Sequence, residues 1–266
     1  LEEIINKAAN VVDWYAVLPF QRKKVKDTIV NNLLDKLITH LDIENVKTSM
    51  GVNSAYNVIS DFIHQWAETS GDSDTESITI QLVAQKIFKL ENDATNHWPQ
   101  IERKYANDSV LQEGSYVKFI ESFLMEQYNQ TQNALGDIEY LTLYRGAFLP
   151  SDQLSEETKG TKGGIEELQL QPISSFTIDY DIAKSFSSHG KSWMKQEGIP
   201  TVSIIRVPKE KILSLSTTGF GCLNEGEVTV LGGVYPAYVQ NTNKESSFSS
   251  VLDDLKKLEV PIGEED

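Results

Sequence analysis

The chain has a single cysteine, Cys222, among its 266 residues, so no internal disulfide can form and nothing marks an oxidising compartment. Histidine is scarce too. His40, His64, His97 and His189 stand apart without ligand spacing, which leaves metal catalysis and a Cys-His nucleophile poorly supported. No Gly-rich phosphate loop precedes a helix, no internal repeat is visible, and no apolar run approaches the length of a membrane span. Basic residues number 24 against 39 acidic ones, for a net charge of −15. That balance disfavours nonspecific attraction to nucleic acid or to anionic membranes. A soluble, metal-free protein without a membrane segment is expected. No typical signal peptide is visible, and because the chain begins at Leu1 rather than methionine, upstream sequence is left open.

The first half reads as helical. Val25, Ile29, Leu33, Leu37 and Leu41 recur every four residues, and Tyr56, Ile59, Phe62, Ile63 and Trp66 form a second apolar stripe. A third helix is expected through Ile78, Leu82, Val83, Ile87 and Leu90, with Asp72, Asp74 and Glu76 near its start. A fourth runs from Tyr116 to Leu135 and stops at Gly136, a good C-cap residue. Ser70-Gly71-Asp72-Ser73-Asp74 reads as a polar link, and Ser151 to Gly164 as a charged, Gly-rich excursion. The tail after Asn241 is expected to be solvated or frayed.

The second half carries the chemistry. Asn224-Glu225-Gly226-Glu227 opens a β-branched run, and strand alternation is expected to set both glutamates on one face. Two carboxylates sharing a site repel each other and raise a pKa, which suits a base or an anchor for a developing cation. Alone, the pair fits a solvated edge strand better, and the company of other motifs reverses that. Leu141-Thr142-Leu143-Tyr144-Arg145-Gly146 reads as a strand ending in arginine. The guanidinium fork suits a phosphate, and Gly146 leaves the main chain open to a ligand; a structural ion pair is the other reading of Arg145. In Ile173-Ser174-Ser175-Phe176-Thr177, alternation puts Ser175 and Thr177 on one face and Phe176 on the other, ahead of a helix start at Asp179-Tyr180-Asp181.

Arg145, then Ser175-Phe176-Thr177, then Glu225-Gly226-Glu227, in that order, resemble the mono-ADP-ribosyltransferases of the Arg-Ser-Glu class, which include many bacterial toxins. The resemblance runs from Tyr140 to Val239, and Ala183 and Phe186 fall where that family places alanine and phenylalanine after its serine motif. Phe176 replaces the family's middle threonine, which removes one supporting hydroxyl, and Thr177 replaces its last serine. The implied fold is α+β: an N-terminal helical module over 1–112, then an ADP-ribosyltransferase-like core of two packed, mostly antiparallel sheets over 113–266, led by the helix 113–136.

The resemblance implies NAD as co-substrate, with no metal. Cleaving the bond between nicotinamide and ribose develops an oxocarbenium cation, and a carboxylate beside the ribose stabilises that state. Glu227 takes this role by the resemblance. Arg145 and Gly146 would meet the phosphates, Ser175 and Thr177 would position Glu227 or the ribose, and Phe186 or Trp193 would stack. Lys191 or Lys195 would supply the charge that an arginine brings in the family. Glu225, as glutamate rather than glutamine, implies arginine as the acceptor. Phe220, between Gly219 and Gly221, matches a substrate-recognising loop, either exposed to the target or tucked onto the sheet. Tyr128, Gln130, Thr131 and Gln132 face either the adenosine half of NAD or solvent. Cys222, close to the acidic pair, reads as a small residue rather than a reactive thiol. The partner implied is a protein with an acceptor arginine, and the helical module would bind that target, an activator or an immunity protein. A secreted or injected toxin acting in a target-cell cytoplasm is the family expectation, with a cytosolic role open. Water or a nucleic-acid base as acceptor, and an inactive binding module, are the alternatives.

Overall fold

The computed structural model describes residues 75–90, 114–160, 163–189, 198–222 and 225–243. The two stripes before residue 70, the link at 70–74, the loop positions Lys191, Trp193 and Lys195, and the tail beyond Asn243 lie outside the described residues. The described chain forms two compact units, each drawing on several stretches of sequence.

The first unit holds the described residues up to Leu141 together with Gln169–Phe176 and Val207–Gly233. Helix α1 spans Thr75–Ile87 and α2 spans Gly114–Leu135, as the apolar periodicity predicts. Gly136, with φ +56°, ends α2 in the left-handed conformation that favours glycine. Val83 and Leu90 of the expected stripe are buried, but the buried face of α1 is turned from the rest of it, because Ile80 and Ala84 are buried whereas Leu82 and Ile87 are only partly so. Gln81 explains the rotation. Its amide oxygen accepts the Ile173 N–H at 2.6 Å and its amide nitrogen donates to the Ile173 carbonyl at 2.9 Å, so a fully buried polar side chain serves one backbone residue as a neighbouring strand would. Helix α2 buries Phe119, Ile120, Phe123 and Leu124, each contributing about 1.5–3 kcal/mol relative to exposure.

The second unit holds Thr142–Leu168, Thr177–Arg206 and the described residues from Val234 onward. Strand β1 spans Tyr140–Pro150, β2 spans Gly164–Thr177 and β3 spans Gly198–Pro208. The excursion expected between the first two strands is ordered: a 3-10 turn at Ser151–Gln153 leads to the short helix α3 at Glu156–Lys159. The Glu166 carboxylate accepts from the Ser155 N–H and from the Ser155 and Thr158 hydroxyls, tying α3 down. Burial pushes the Glu166 carboxyl upward, but those hydrogen bonds outweigh it and hold its pKa below the ordinary value. Helix α4, Tyr180–His189, starts where the sequence predicts, with the Asp179 carboxylate accepting from the N–H groups of Asp181 and Ile182 at 2.8 and 3.1 Å. Tyr144, Ala183, Val202, Ile204 and Tyr238 form this unit's core, with Tyr180 packed against it.

Strand β4 spans Ile212–Leu215 and β5 spans Glu227–Asn241. Pairing is antiparallel in β1–β2 (Tyr144 opposite Thr177), β3–β5 (Ile204 opposite Tyr238) and β4–β5 (Leu215 opposite Val228). The α+β mixture with antiparallel pairing agrees with the sequence. Where two sheets were expected, hydrogen bonds link the described strands into one sheet in the order β2-β1-β3-β5-β4, with a further β2–β5 pairing. The physical reason is strand length. The 15 residues of β5 pair with β4 at their start and with β3 at their end, and Gly233, with φ 151°, lies between the two pairings.

Candidate functional site

The acidic pair sits after a tight loop in the first unit. Strand β4 ends at Leu215, whose carbonyl accepts the N–H groups of Thr218 and Gly219 at 2.8 and 3.1 Å. The Thr218 hydroxyl accepts the Leu215 N–H at 3.0 Å. The chain then passes Phe220 and Gly221 (φ 118°) and reaches Cys222. Cys222 holds both glutamates through its backbone: its N–H donates to the Glu227 carboxylate at 2.6 Å, and its carbonyl accepts the N–H groups of Glu225 and Glu227 at 3.2 and 3.3 Å. The Ser216 N–H donates to the Glu227 carbonyl at 3.0 Å, closing the loop against the first residue of β5.

Glu227 is 6 % exposed, and Glu225 is half-buried. Burial pushes the Glu225 carboxyl above its ordinary pKa, the negative Glu227 pushes it further, and a hydrogen bond with the Cys222 side chain works in the opposite direction. The two carboxylates therefore share an environment as the sequence predicts. The expected reason was strand alternation, and that reason is corrected. Glu225 lies in the turn before β5, and Gly226 stands between the glutamates with φ +53°. A left-handed glycine, not a pleat, brings them together.

Phe220 is fully buried, its ring edge-on to Phe123 with centroids 5.4 Å apart. The expectation of an exposed aromatic that meets a target is overturned in favour of the tucked reading. Gln127 and Ser214 secure it: the Phe220 N–H donates to the Gln127 amide oxygen at 3.2 Å, and its carbonyl accepts from the Ser214 hydroxyl at 3.2 Å. The α2 residues expected to face adenosine or solvent make hydrogen bonds within this unit. Thr131 is buried and its hydroxyl meets that of Thr218 at 2.6 Å; the Gln132 amide donates to the carbonyls of Lys209 and Ile212; the Tyr128 hydroxyl donates to the Glu210 carbonyl; and Gln130 donates to Glu126.

Ser175 lies in β2, in the same unit as the acidic pair, with its hydroxyl oxygen buried. Arg145, Gly146, Thr177 and Phe186 belong to the second unit. Arg145 is not at a strand end as expected. Strand β1 continues five residues beyond it to Pro150, leaving Arg145 partly buried in its middle. Gly146 does not leave the chain open on the side where its Cβ would stand: a Cβ there would lie 1.8 Å from the Ala183 carbonyl oxygen and 2.7 Å from the Ser187 nitrogen. Helix α4, not a ligand, makes the close approach. The Thr177 hydroxyl accepts the Asp179 N–H at 3.0 Å and so shapes the turn into α4. Phe186, expected to stack on NAD, is 45 % exposed on α4.

Cys222 and Gln127 emerge from the structure rather than from the sequence. Cys222 was visible only as a neighbour of the glutamates, and its contribution is mainly backbone. Gln127 lies one turn from both Phe123 and Thr131, in an i, i+4 series along α2. Among the described residues no group of three or more His, Cys, Asp and Glu side chains is arranged to hold a metal ion, and no helix is long and apolar enough to cross a membrane. Comparison of the chain with protein-family models, with curated proteins and with solved structures finds no match.

Proposed function

We propose that this chain is a mono-ADP-ribosyltransferase of the Arg-Ser-Glu class, which cleaves NAD and transfers ADP-ribose to arginine of a target protein. The observation that carries the reading is the acidic pair: a buried Glu227 gripped by the Cys222 N–H at 2.6 Å beside a Glu225 whose pKa is raised by burial and by Glu227. A fixed carboxylate suits the cation that develops as nicotinamide leaves. A carboxylate with a raised pKa is the better base for an incoming guanidinium, which must lose a proton as its nitrogen joins the ribose. Arg145 would hold a phosphate of NAD, Ser175 and Thr177 would position the ribose side, and Phe186 would offer a stacking face. On this reading the sheet is an ADP-ribosyltransferase core within 113–266, the module 1–112 meets a target, activator or immunity protein, and the enzyme acts as a secreted or injected toxin.

Labelled NAD, incubated with a cell lysate or a small arginine analogue, tests the proposal. Glu227→Ala should lose NAD cleavage and transfer alike, by at least about a hundredfold, as expected when a group stabilising the transition-state charge is removed. Glu225→Ala should lose transfer while keeping appreciable cleavage. Equal loss of both reactions in folded Glu225→Ala protein would contradict the acceptor role. Burial of Phe220 favours a second reading, NAD glycohydrolysis, because it removes the aromatic expected to meet a protein acceptor. Nicotinamide release without labelled protein would select it.

A further inference from the structure

We propose that Gln127, on α2, is a positioning residue that fixes the Glu225/Glu227 pair from a distance by anchoring the loop 216–222. Its bearing on catalysis rests on the function proposed above, whereas the anchoring itself does not. Three α2 side chains, one turn apart, grip successive parts of the loop: Thr131 meets the Thr218 hydroxyl at 2.6 Å, Gln127 accepts the Phe220 N–H at 3.2 Å, and Phe123 packs edge-on to the Phe220 ring. Two residues beyond Phe220, the Cys222 N–H grips the Glu227 carboxylate. Anchor and carboxylate are thus joined by one short piece of chain.

Two further observations single out Gln127 from its neighbours. It is fully buried, yet its amide nitrogen has no hydrogen-bond partner among the described residues. A buried amide with an unused donor is costly, and an apolar side chain of similar volume would avoid that cost. What Gln127 supplies in return is its acceptor oxygen, directed at the loop. Gly219 is fitted to the same oxygen: a Cβ at this position would stand 2.0 Å from it. The loop and the amide are therefore matched at van der Waals contact, and the match fails if either is changed.

Cys222 is the chain's sole cysteine, so its alkylation rate reports the loop next to the acidic pair without any assay of NAD. Gln127→Met keeps the volume and removes the acceptor. Labelling of Cys222 by iodoacetamide under native conditions should then rise about tenfold, as expected when one buried hydrogen bond holding a local opening is lost. Exchange of the Ile204 and Tyr238 backbone amides, in the other unit's core, should stay unchanged. Gly219→Ala, which must displace the Gln127 amide without altering it, should act in the same direction. If Gln127→Met fails to fold, Gly219→Ala decides alone. Wild-type labelling rates in the folded variants, or a rise matched by faster Ile204 and Tyr238 exchange, would overturn the anchoring. Where the wild type cleaves NAD, Gln127→Met should lower kcat at nearly constant KM for NAD. A wild type inactive toward NAD would refute the functional reading, with Cys222 labelling still deciding the anchor.

Discussion

At the scale of single residues, the acidic pair carries a cost beside the chemistry proposed for it. Glu225 has its pKa raised from the ordinary 4.5, first by burial and then by Glu227. A carboxyl with a higher pKa folded than unfolded binds more protons when folded, so it stabilises the fold fully below 4.5 and loses that contribution as pH rises through the folded pKa. Ionising Glu225 at higher pH therefore costs stability, a cost that the proposed acceptor role would account for. Glu225→Gln, which keeps an acceptor for the Cys222 side chain, should melt at a higher temperature than wild type at pH 7. The margin should shrink as the pH falls toward 4.5, because the wild-type carboxyl takes up its proton above the ordinary range. Thermal melts across this range check it, and a margin independent of pH would argue against an electrostatic origin. The proximity of the two glutamates was legible in the spacing Glu225-Gly226-Glu227. The left-handed turn that produces it was not, because glycine permits many conformations and the Cys222 bonds select this one. Phe220 was illegible for a similar reason: flanking glycines suggest an exposed loop, whereas its burial depends on Phe123 and Gln127, nearly a hundred positions earlier in the chain.

At the scale of elements, helix positions followed closely from periodicity and caps. The end of α2 at Gly136 and the start of α4 behind Asp179 were readable, since both depend on local backbone groups. Strand lengths were not. Arg145-Gly146 reads as a strand end because glycine interrupts the apolar alternation, but β1 runs through it to Pro150. The interruption marks a packing site rather than a terminus: α4 sits so close to β1 that a Cβ at Gly146 would overlap the Ala183 carbonyl oxygen. Backbone cannot yield as a side-chain tip can, so Gly146→Ala must push α4 away and open the core of Tyr144, Ala183, Val202, Ile204 and Tyr238. The expected loss is about 3 kcal/mol or more, at the upper end for overpacking a close contact. Urea titration measures it, with unchanged stability counting against the close packing. A selective loss of NAD affinity in a fully stable Gly146→Ala protein would instead restore the ligand-facing reading of that glycine.

For the molecule as a whole, the excess of acidic residues was plain from composition, and its consequence for stability follows from balancing two electrostatic effects. The net charge of −15 makes the compact state repel itself. Ion pairs work in the opposite sense, and Lys86–Glu121 and Lys159–Glu156 each have a largely exposed partner, 70 % and 90 % respectively. Exposed pairs of this kind contribute about 0–1 kcal/mol each. Screening weakens attraction and repulsion together. Its net sign therefore follows the larger sum, and repulsion among 39 acidic residues facing 24 basic ones is the larger. Added salt shortens the screening length from about 30 Å at 0.01 M to about 8 Å at 0.15 M, which removes the long-range repulsion first while closely spaced pairs survive better. The melting temperature should consequently rise as sodium chloride increases over that range, and Glu225→Gln should gain slightly less from salt than wild type because one negative charge of the long-range repulsion is already gone. A melting temperature that falls with added salt would mean that attractive pairs dominate the charge distribution despite its sign.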